Sequence, residues 1–443
     1  MNSSTNGGNA ELLALAEHYK CPDAFASLGD CELNGVLWRI TDGVGGCLPS
    51  DPSEWANYLR RERYVRSSSK NASMLGLGEL VRKAYYLARP LMPVQVRKHL
   101  QKLHLRGWDK IPFPRWPVDR SVEQIMEFFL ATSLKAHGLK EIPFIWFWPD
   151  GHKSCAIMTH DVETQSGRDF CAQLMDLNDR RRIKSSFQII PEERYAVSAA
   201  FLNDIKARGF EVNVHDLNHD GHLFTQYERF KERAIRIKRY AKQFGAVGFR
   251  SAVLYRNADW LESLEFSYDM SFPNVAHLDP QRGGCCTVMP FFIGKTLELP
   301  LTCTQDYSLF HVLENYSLDL WKQQIRLIQE KHGLISFIVH PDYIIEERAR
   351  KTYEDLLDYL AQLRSQEDVW IALPCEVDRW WRQRNQMRLV RCGDAWQIEG
   401  DGKERAQIAY AHLADDRVVY SFNRDQAYIP TASLVGGLTT AQS

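Results

Sequence analysis

Apolar and polar positions alternate regularly along the middle of the chain, and this pattern predicts a parallel sheet. From about Ser154 to Arg384, short apolar or β-branched runs are separated by stretches with the apolar spacing of amphipathic helices. The runs that predict strands are Cys155–Met158, Ser185–Ile190, Glu211–Val214, Ala246–Phe249, Tyr268–Phe272, Leu334–Val339 and Val369–Leu373. Strands that alternate with helices form right-handed βαβ units. We therefore expect an α/β fold, a closed or nearly closed barrel of about seven or eight units. An open doubly wound sheet is the alternative, although no G-x-G-x-x-G follows any strand.

The pattern changes on both sides of this region, which predicts three parts. Residues 1–147 mix helical stretches with segments punctuated by glycine and proline, and form an N-terminal extension of unassigned role. Residues 148–385 hold the alternating units. Within residues 386–443, short apolar segments are separated by polar turns, and this pattern predicts a small β appendage. Its predicted strands are Met387–Val390, Trp396–Glu399, Ala406–Leu413 and Val418–Phe422.

Composition narrows the class of protein. Hydrophobic residues make up 44% and charged residues 25% of the 443, as in folded soluble proteins. The net charge of -1 gives no basic field, so no nucleic-acid partner is expected. We find no apolar run of about 20 residues, and so expect no transmembrane segment. The polar start leads into no apolar signal region, which predicts a cytoplasmic protein with reduced cysteines.

The first predicted strand leads directly into acidic residues. Cys155–Met158 is followed closely by His160, Asp161 and Glu163. Catalytic groups and ligands collect at the carboxyl ends of parallel strands. Asp161 and Glu163 are two residues apart, so on an extended segment they point the same way. Two adjacent carboxylates are costly unless a cation or a proton lies between them. The alternative is that the pair caps the following helix.

Other predicted strands end in histidine, arginine or aspartate. His215 and His219 follow Glu211–Val214 as an H-x-x-x-H, and on one helical face such a pair can bind one metal. The remaining polar groups are Arg250 after the fourth predicted strand, His340 after the sixth, and Asp306 after the segment Leu297–Thr304. Two histidines and a carboxylate with open positions form a catalytic metal site. We therefore expect a metal centre at the carboxyl end of the sheet.

In their order and type these residues resemble the motifs of the polysaccharide deacetylase superfamily (NodB homology, carbohydrate esterase family 4), whose fold is an irregular (β/α) barrel. The stretch T-H-D-V-E at 159–163 is similar to the first motif, His215 and His219 to the second, and His340 in I-V-H to the fifth. Arg250 matches the third motif without its proline, and Asp306 matches the fourth loosely. The resemblance covers roughly residues 148–384.

The resemblance implies a role for each residue. The implied metal ligands are Glu163, His215 and His219, and the expected ion is divalent, zinc first, with cobalt, manganese or nickel as alternatives. Asp161 is implied as the catalytic base, held by Arg250, and His340 as the general acid, oriented by Asp306. Val162 separates two acids that are adjacent in most of the family, so either Asp161 or Glu163 remains open as the metal carboxylate.

The resemblance also implies an activity. A metal-dependent hydrolase of this kind removes an N-acetyl group from an N-acetylated sugar, oligosaccharide or glycan precursor. Two alternatives stay open. One is a hydrolase of a non-sugar amide bond, similar to an allantoinase, and the other is a carbohydrate-binding barrel without turnover.

Overall fold

The centre of the molecule is a curled, nine-stranded sheet covered by helices. The structure is a computed structural model that describes residues 15–22, 49, 51–65, 103–366 and 368–423. Its strands are β1 Ile142–Ile145, β2 Ser154–Val162, β3 Ser186–Ile189, β4 Glu211–His215, β5 Gly248–Arg250, β6 Tyr268–Asp269, β7 Phe291–Ile293, β8 Thr296–Glu298, β9 Leu334–Ile338, β10 Val369–Ile371, β11 Arg388–Cys392, β12 Ala395–Glu399, β13 Ile408–Ala414 and β14 Arg417–Ser421. Its α-helices are α1 Trp55–Arg60, α2 Ser121–Ala136, α3 Gln165–Arg180, α4 Ala199–Ala207, α5 Tyr227–Phe244, α6 Ala258–Leu261, α7 Asp319–Gln329, α8 Glu347–Gln366 and α9 Pro374–Gln386.

The sheet runs in the order β10-β2-β3-β4-β5-β6-β8-β7, and β9 also pairs with β2. Every pairing in it is parallel except that of β7 with β8. The chain beyond β8 meets β9, because the backbone N–H of Cys303 donates to Ser336 O (3.1 Å). The sheet therefore curls until its two sides meet, and it carries the carboxyl ends of its strands to one rim.

Strand β2 pairs with three other strands of the sheet. All nine of its residues are buried, as expected for a parallel strand covered on both faces. Cys155 pairs with residues of both β9 and β10, and Thr159 pairs with residues of both β9 and β3. Because other strands pair with both edges of β2, the backbone at its carboxyl end is fixed in position.

Helices and their caps position the loops around the rim. Thr164 ends the turn after β2 and caps α3, accepting a hydrogen bond from Gly167 N (3.0 Å). Ser198 caps α4 in the same way. Gly245, with φ of +61°, ends α5, because a left-handed residue there is easiest for glycine. Apolar side chains of these helices and of the sheet form one continuous core.

A second core joins both flanks of the chain to the sheet. It contains residues of the N-terminal part, of β1, of α9 and of the C-terminal strands, among them Tyr19, Trp55, Phe144, Trp380 and Ala411. Strand β1 pairs with β13 in an antiparallel three-stranded sheet of order β1-β13-β14. Regions on either side of the barrel in sequence are thus packed together in space.

The predicted α/β class, the curled parallel sheet and the C-terminal β strands are confirmed. The hairpin of β7 and β8 was not predicted from the sequence. The boundaries at 147 and 385 stay a prediction, and the β1–β13 hydrogen bonds cross both of them. Much of the predicted N-terminal extension lies outside the described residues. In the described part of the chain, no helix is both long enough and apolar enough to span a membrane.

Candidate active site

Asp161 and Glu163 lie where β2 reaches the rim. Asp161 is the last but one residue of the strand and is 3% exposed, whereas the side chain of Glu163, just beyond the strand, is 22% exposed. Both carboxylates face His215: its Nε2 is 3.7 Å from Asp161 Oδ2 and 3.7 Å from Glu163 Oε1. Asp161 and Glu163 therefore face the same side, as their two-residue spacing predicts.

His215 and His219 come together through a loop, not through a helix. His215 is the last residue of β4, and the chain then turns with Asp216 and His219 both in the left-handed region, at φ of +53° and +56°. The ring centroids of the two histidines are 4.9 Å apart. The expectation of a shared helical face was therefore wrong, although the two imidazoles do meet. Asp216 stabilises this turn, because its carboxylate accepts hydrogen bonds from Leu217 N (2.7 Å) and Ala252 N (3.3 Å).

Glu163, His215 and His219 form a group that can hold a metal ion. One ligand atom from each lies within 4.8 Å of the others. The Nδ1 of His215 is 3.1 Å from Arg250 O, so Nδ1–H donates there and Nε2 keeps its lone pair for a metal. The Nε2 atoms of His215 and His219 are buried and make no hydrogen bond, although His219 Nε2 comes within 2.8 Å of Glu163 Oε1. Two orphaned imidazole nitrogens facing a carboxylate fit a divalent ion of the zinc type.

Arg250 fixes one oxygen of Asp161. The arginine is fully buried at the end of β5 and donates from Nη1 to Asp161 Oδ1 (2.6 Å) and to Thr159 Oγ1 (2.8 Å). Its Nε donates to Met270 O (3.0 Å). Burial raises the pKa of Asp161, but Arg250 and His215 outweigh it and hold that pKa below its ordinary value. Oδ2 is the oxygen of Asp161 that faces His215.

His340 and Asp306 form a buried pair next to Glu163. Asp306 accepts hydrogen bonds from His340 Nδ1 (2.6 Å) and from His340 N (2.7 Å). The other ring nitrogen, Nε2, lies 3.3 Å from Glu163 Oε1. Burial lowers the pKa of His340, but the carboxylates of Asp306 and Glu163 outweigh it and hold that pKa well above its ordinary value.

All seven residues singled out in the sequence therefore lie at one rim. Three further residues were missed. Thr159 is two residues before Asp161, so the same spacing argument could have placed it on this face. Asp216 carries no local signal for its role in the turn. Arg194, from the loop after β3, donates to His219 O (2.7 Å), and no sequence pattern connects these two positions.

Solved structures with a similar fold cover about half of this chain. A candidate polysaccharide deacetylase from Mycobacterium smegmatis is 16% identical, with a TM-score of 0.45 over 54% of this chain and 93% of that one. The allantoinase PuuE is 11% identical, with a TM-score of 0.41 over 53% of this chain and 92% of that one. A candidate polysaccharide deacetylase from Pseudomonas aeruginosa PAO1 is 13% identical, with a TM-score of 0.40 over 53% and 93%. No family model and no curated protein sequence matches the chain. Polysaccharide deacetylases are thus among the structures that this chain is similar to.

Proposed function

We propose that this chain is a metal-dependent hydrolase that removes an N-acetyl group from an N-acetylated sugar or glycan precursor. One observation supports this most strongly. A candidate base, Asp161, and a candidate acid, His340, both lie next to Glu163, and ligand atoms of the three are within 4.8 Å of one another. A site that only binds a sugar has no need for an acid and a base at this separation.

The proposed ligands are Glu163, His215 and His219. When bound, a divalent ion acts there as a Lewis acid that makes an amide carbonyl easier to attack and water more acidic. Glu163 is proposed as the metal carboxylate because it contacts the Nε2 atoms of both histidines. Asp161 is the weaker candidate, because Arg250 already holds one of its oxygens.

Asp161 and His340 would move the protons of the reaction. Oδ2 of Asp161 accepts a proton from the attacking water while Arg250 holds Oδ1 and keeps the carboxylate ionised. The amide C–N bond then breaks, and the departing amine takes a proton from Nε2 of His340. Asp306 binds Nδ1–H and thereby leaves the transferable proton at Nε2. The products are acetate and a free amine.

Acetate release from a panel of N-acetylated sugars, sugar nucleotides, oligosaccharides and non-sugar amides tests the proposal. We expect the zinc-loaded chain to release acetate from at least one sugar, and the chelated chain to do so only after zinc is restored. His219→Ala should lose both bound zinc and activity, while His137→Ala, at an exposed position, should keep both. Turnover of non-sugar amides alone would favour the amidohydrolase alternative. Sugar binding without any turnover would favour the binding barrel.

A further inference from the structure

A cleft of about 520 Å³ lies at the end of the barrel opposite the candidate active site. It is bordered by Gly294 and Lys295, the turn that leads into β8, and by residues in the last part of α9, namely Trp381, Arg382 and Arg384–Gln386. The turn lies at the amino end of β8, because it directly precedes that parallel strand. Helix α9 follows β10, so it starts at the rim and ends near the amino ends of the strands. These two elements therefore place the cleft at the amino ends of the strands, away from Asp161 and His340.

Arg384 brings a buried positive charge to this cleft. The residue is 2% exposed, and its guanidinium donates to three carbonyl oxygens: Trp146 O (2.9 Å), Ile145 O (2.7 Å) and His18 O (3.1 Å). In the described part of the chain no carboxylate pairs with it. Burial lowers the pKa of Arg384 to about 9. The guanidinium also lies over the rings of Phe147 (5.3 Å) and Trp381 (5.2 Å). A buried charge balanced by carbonyl dipoles and aromatic rings alone is costly, and a negative partner would lower that cost.

Two further cations line the same cleft, Arg60 from α1 and Lys295, and neither forms an ion pair with a carboxylate of the described residues. Burial lowers the pKa of Arg60, and Glu123 and Glu17 oppose that effect from beyond ion-pairing distance. The Nε of Arg60 is buried and makes no hydrogen bond. Arg382, which also lines the cleft, is paired with Asp378 (2.8 Å). Glu17 is the one carboxylate among the lining residues that the structure describes, so the cleft carries an excess of positive charge.

We propose that this cleft binds a phosphoryl group, as a phosphate ester or a diphosphate. A phosphate carries up to two negative charges and several acceptor oxygens, which matches guanidinium donors better than one carboxylate does. Phe291, Phe292 and Trp381 supply apolar and aromatic surface beside the cations, suited to the organic part of such a ligand. The volume falls in the range of small-molecule sites, about 300–1,000 Å³. The inference is independent of the proposed hydrolase activity, since the two sites share no residue.

Calorimetric titration of the full chain with inorganic pyrophosphate tests this inference. We expect saturable binding that weakens as salt is added, because the attraction is between charges. The double variant Arg60→Gln with Lys295→Gln should weaken binding at least tenfold. It spares Arg384, whose removal would leave three buried carbonyls without a donor. The matched control, Arg391→Gln with Lys403→Gln, changes two exposed cations outside the cleft and should bind as the unchanged chain does.

The single variant Lys295→Gln, at an exposed side chain, provides the same comparison if the double variant does not fold.

Flotation with phosphatidylglycerol vesicles distinguishes the source of the phosphoryl group. Binding to pyrophosphate alone assigns a soluble metabolite, and vesicle binding that the cleft variants abolish assigns a lipid headgroup. Acetate release should be unchanged in both cleft variants. Absence of saturable binding to either probe, or equal binding by the cleft variants, overturns the inference.

Discussion

At the scale of single residues, the two ring nitrogens of His340 have separate partners, and this separation gives the residue its proposed role. Asp306 holds Nδ1, while Nε2 points toward Glu163 and the space where a substrate amide would lie. Asp306 is itself fully buried and accepts a third hydrogen bond from Tyr307 N (2.8 Å). The ring is thus fixed in both orientation and tautomer, as a general acid requires.

Replacing His340 with Ala should lower kcat by about 10²–10⁴ and leave KM and the zinc content nearly unchanged. The reason is that the proposed proton transfer follows attack by water, so substrate binding does not depend on it. Steady-state kinetics on the best substrate, with metal analysis of the same sample, would measure this. A variant with normal kcat would place the acid elsewhere, with Tyr343, whose ring centroid lies 4.7 Å from that of His340, tested next.

Replacing Asp306 with Asn should move the alkaline limb of the pH–rate profile to lower pH. Asp306 raises the pKa of His340, so removing its negative charge disfavours the imidazolium, and the acid is lost at a lower pH. The kcat profile of the variant would be compared with that of Asp150→Asn, an exposed carboxylate far from the rim. An alkaline limb that stays in place or moves up would contradict the pairing of Asp306 with His340.

At the scale of elements, most strands and helices could be predicted because each parallel strand is an apolar run between polar turns. The exceptions have physical causes. Strand β2 continues through His160, Asp161 and Val162, because neighbouring segments of the same chain supply partners for the polar groups there, such as Val339 O for His160 Nδ1 (3.0 Å). Strands β7 and β8 have three residues each, too few to show a period. The left-handed turn after His215 depends on the contacts of Asp216 with another loop, and no local pattern encodes them.

Helix α2 carries a titratable group whose effect on stability can be measured. Glu123 is buried, accepts hydrogen bonds from Thr287 Oγ1 and from Val288 N (3.1 Å), and burial raises its pKa to about 7. The folded chain therefore keeps this proton over a pH range in which the unfolded chain has lost it. It follows that the free energy of unfolding should decrease as the pH is raised from about 4.5 to about 7, by at most about 3 kcal/mol.

Glu123→Gln should remove this pH dependence. We expect the difference in melting temperature, variant minus unchanged chain, to be larger at pH 8 than at pH 5. The reason is that glutamine stays neutral at both pH values. Glu127→Gln, on the same helix, removes an ion pair with Lys331 and is the matched control, for which no such rise is expected. Thermal unfolding at both pH values would check this, and parallel behaviour of the two variants would contradict it.

At the scale of the whole molecule, the gathering of the site could be predicted but the packing of the flanks could not. Parallel strands deliver their carboxyl ends to one rim, so Glu163, His215 and His340 meet although they are far apart in sequence. The pairing of β1 with β13 follows no such rule. Ile142 lies opposite Ala411, and nothing in either short apolar segment identifies its partner.

Ending the chain after Gln386 should cost stability more than metal affinity. The truncation removes β13 and leaves the edge of β1 unpaired. It also removes Tyr420 and with it the aromatic contacts that Tyr420 makes with Phe144 and Tyr19. We expect the melting temperature to fall by at least about 5 °C, with zinc binding retained. A chain ended after Asn423 keeps all the described strands and is the control. A folded truncation that no longer binds zinc would contradict the expectation.

The pairing of β1 with β13 also has a consequence for the order in which the protein can fold on the ribosome. Roughly 260 residues separate the two strands, and at 5–20 residues per second they take about 13–50 s to synthesise. The strands of the barrel from β2 to β10 all emerge within that interval. During it the backbone edge of β1 that β13 covers has no partner and stays open to other chains and to chaperones. The rim that carries Asp161 and His340 can therefore form before the flanks close, and the last strands to be made protect one of the first.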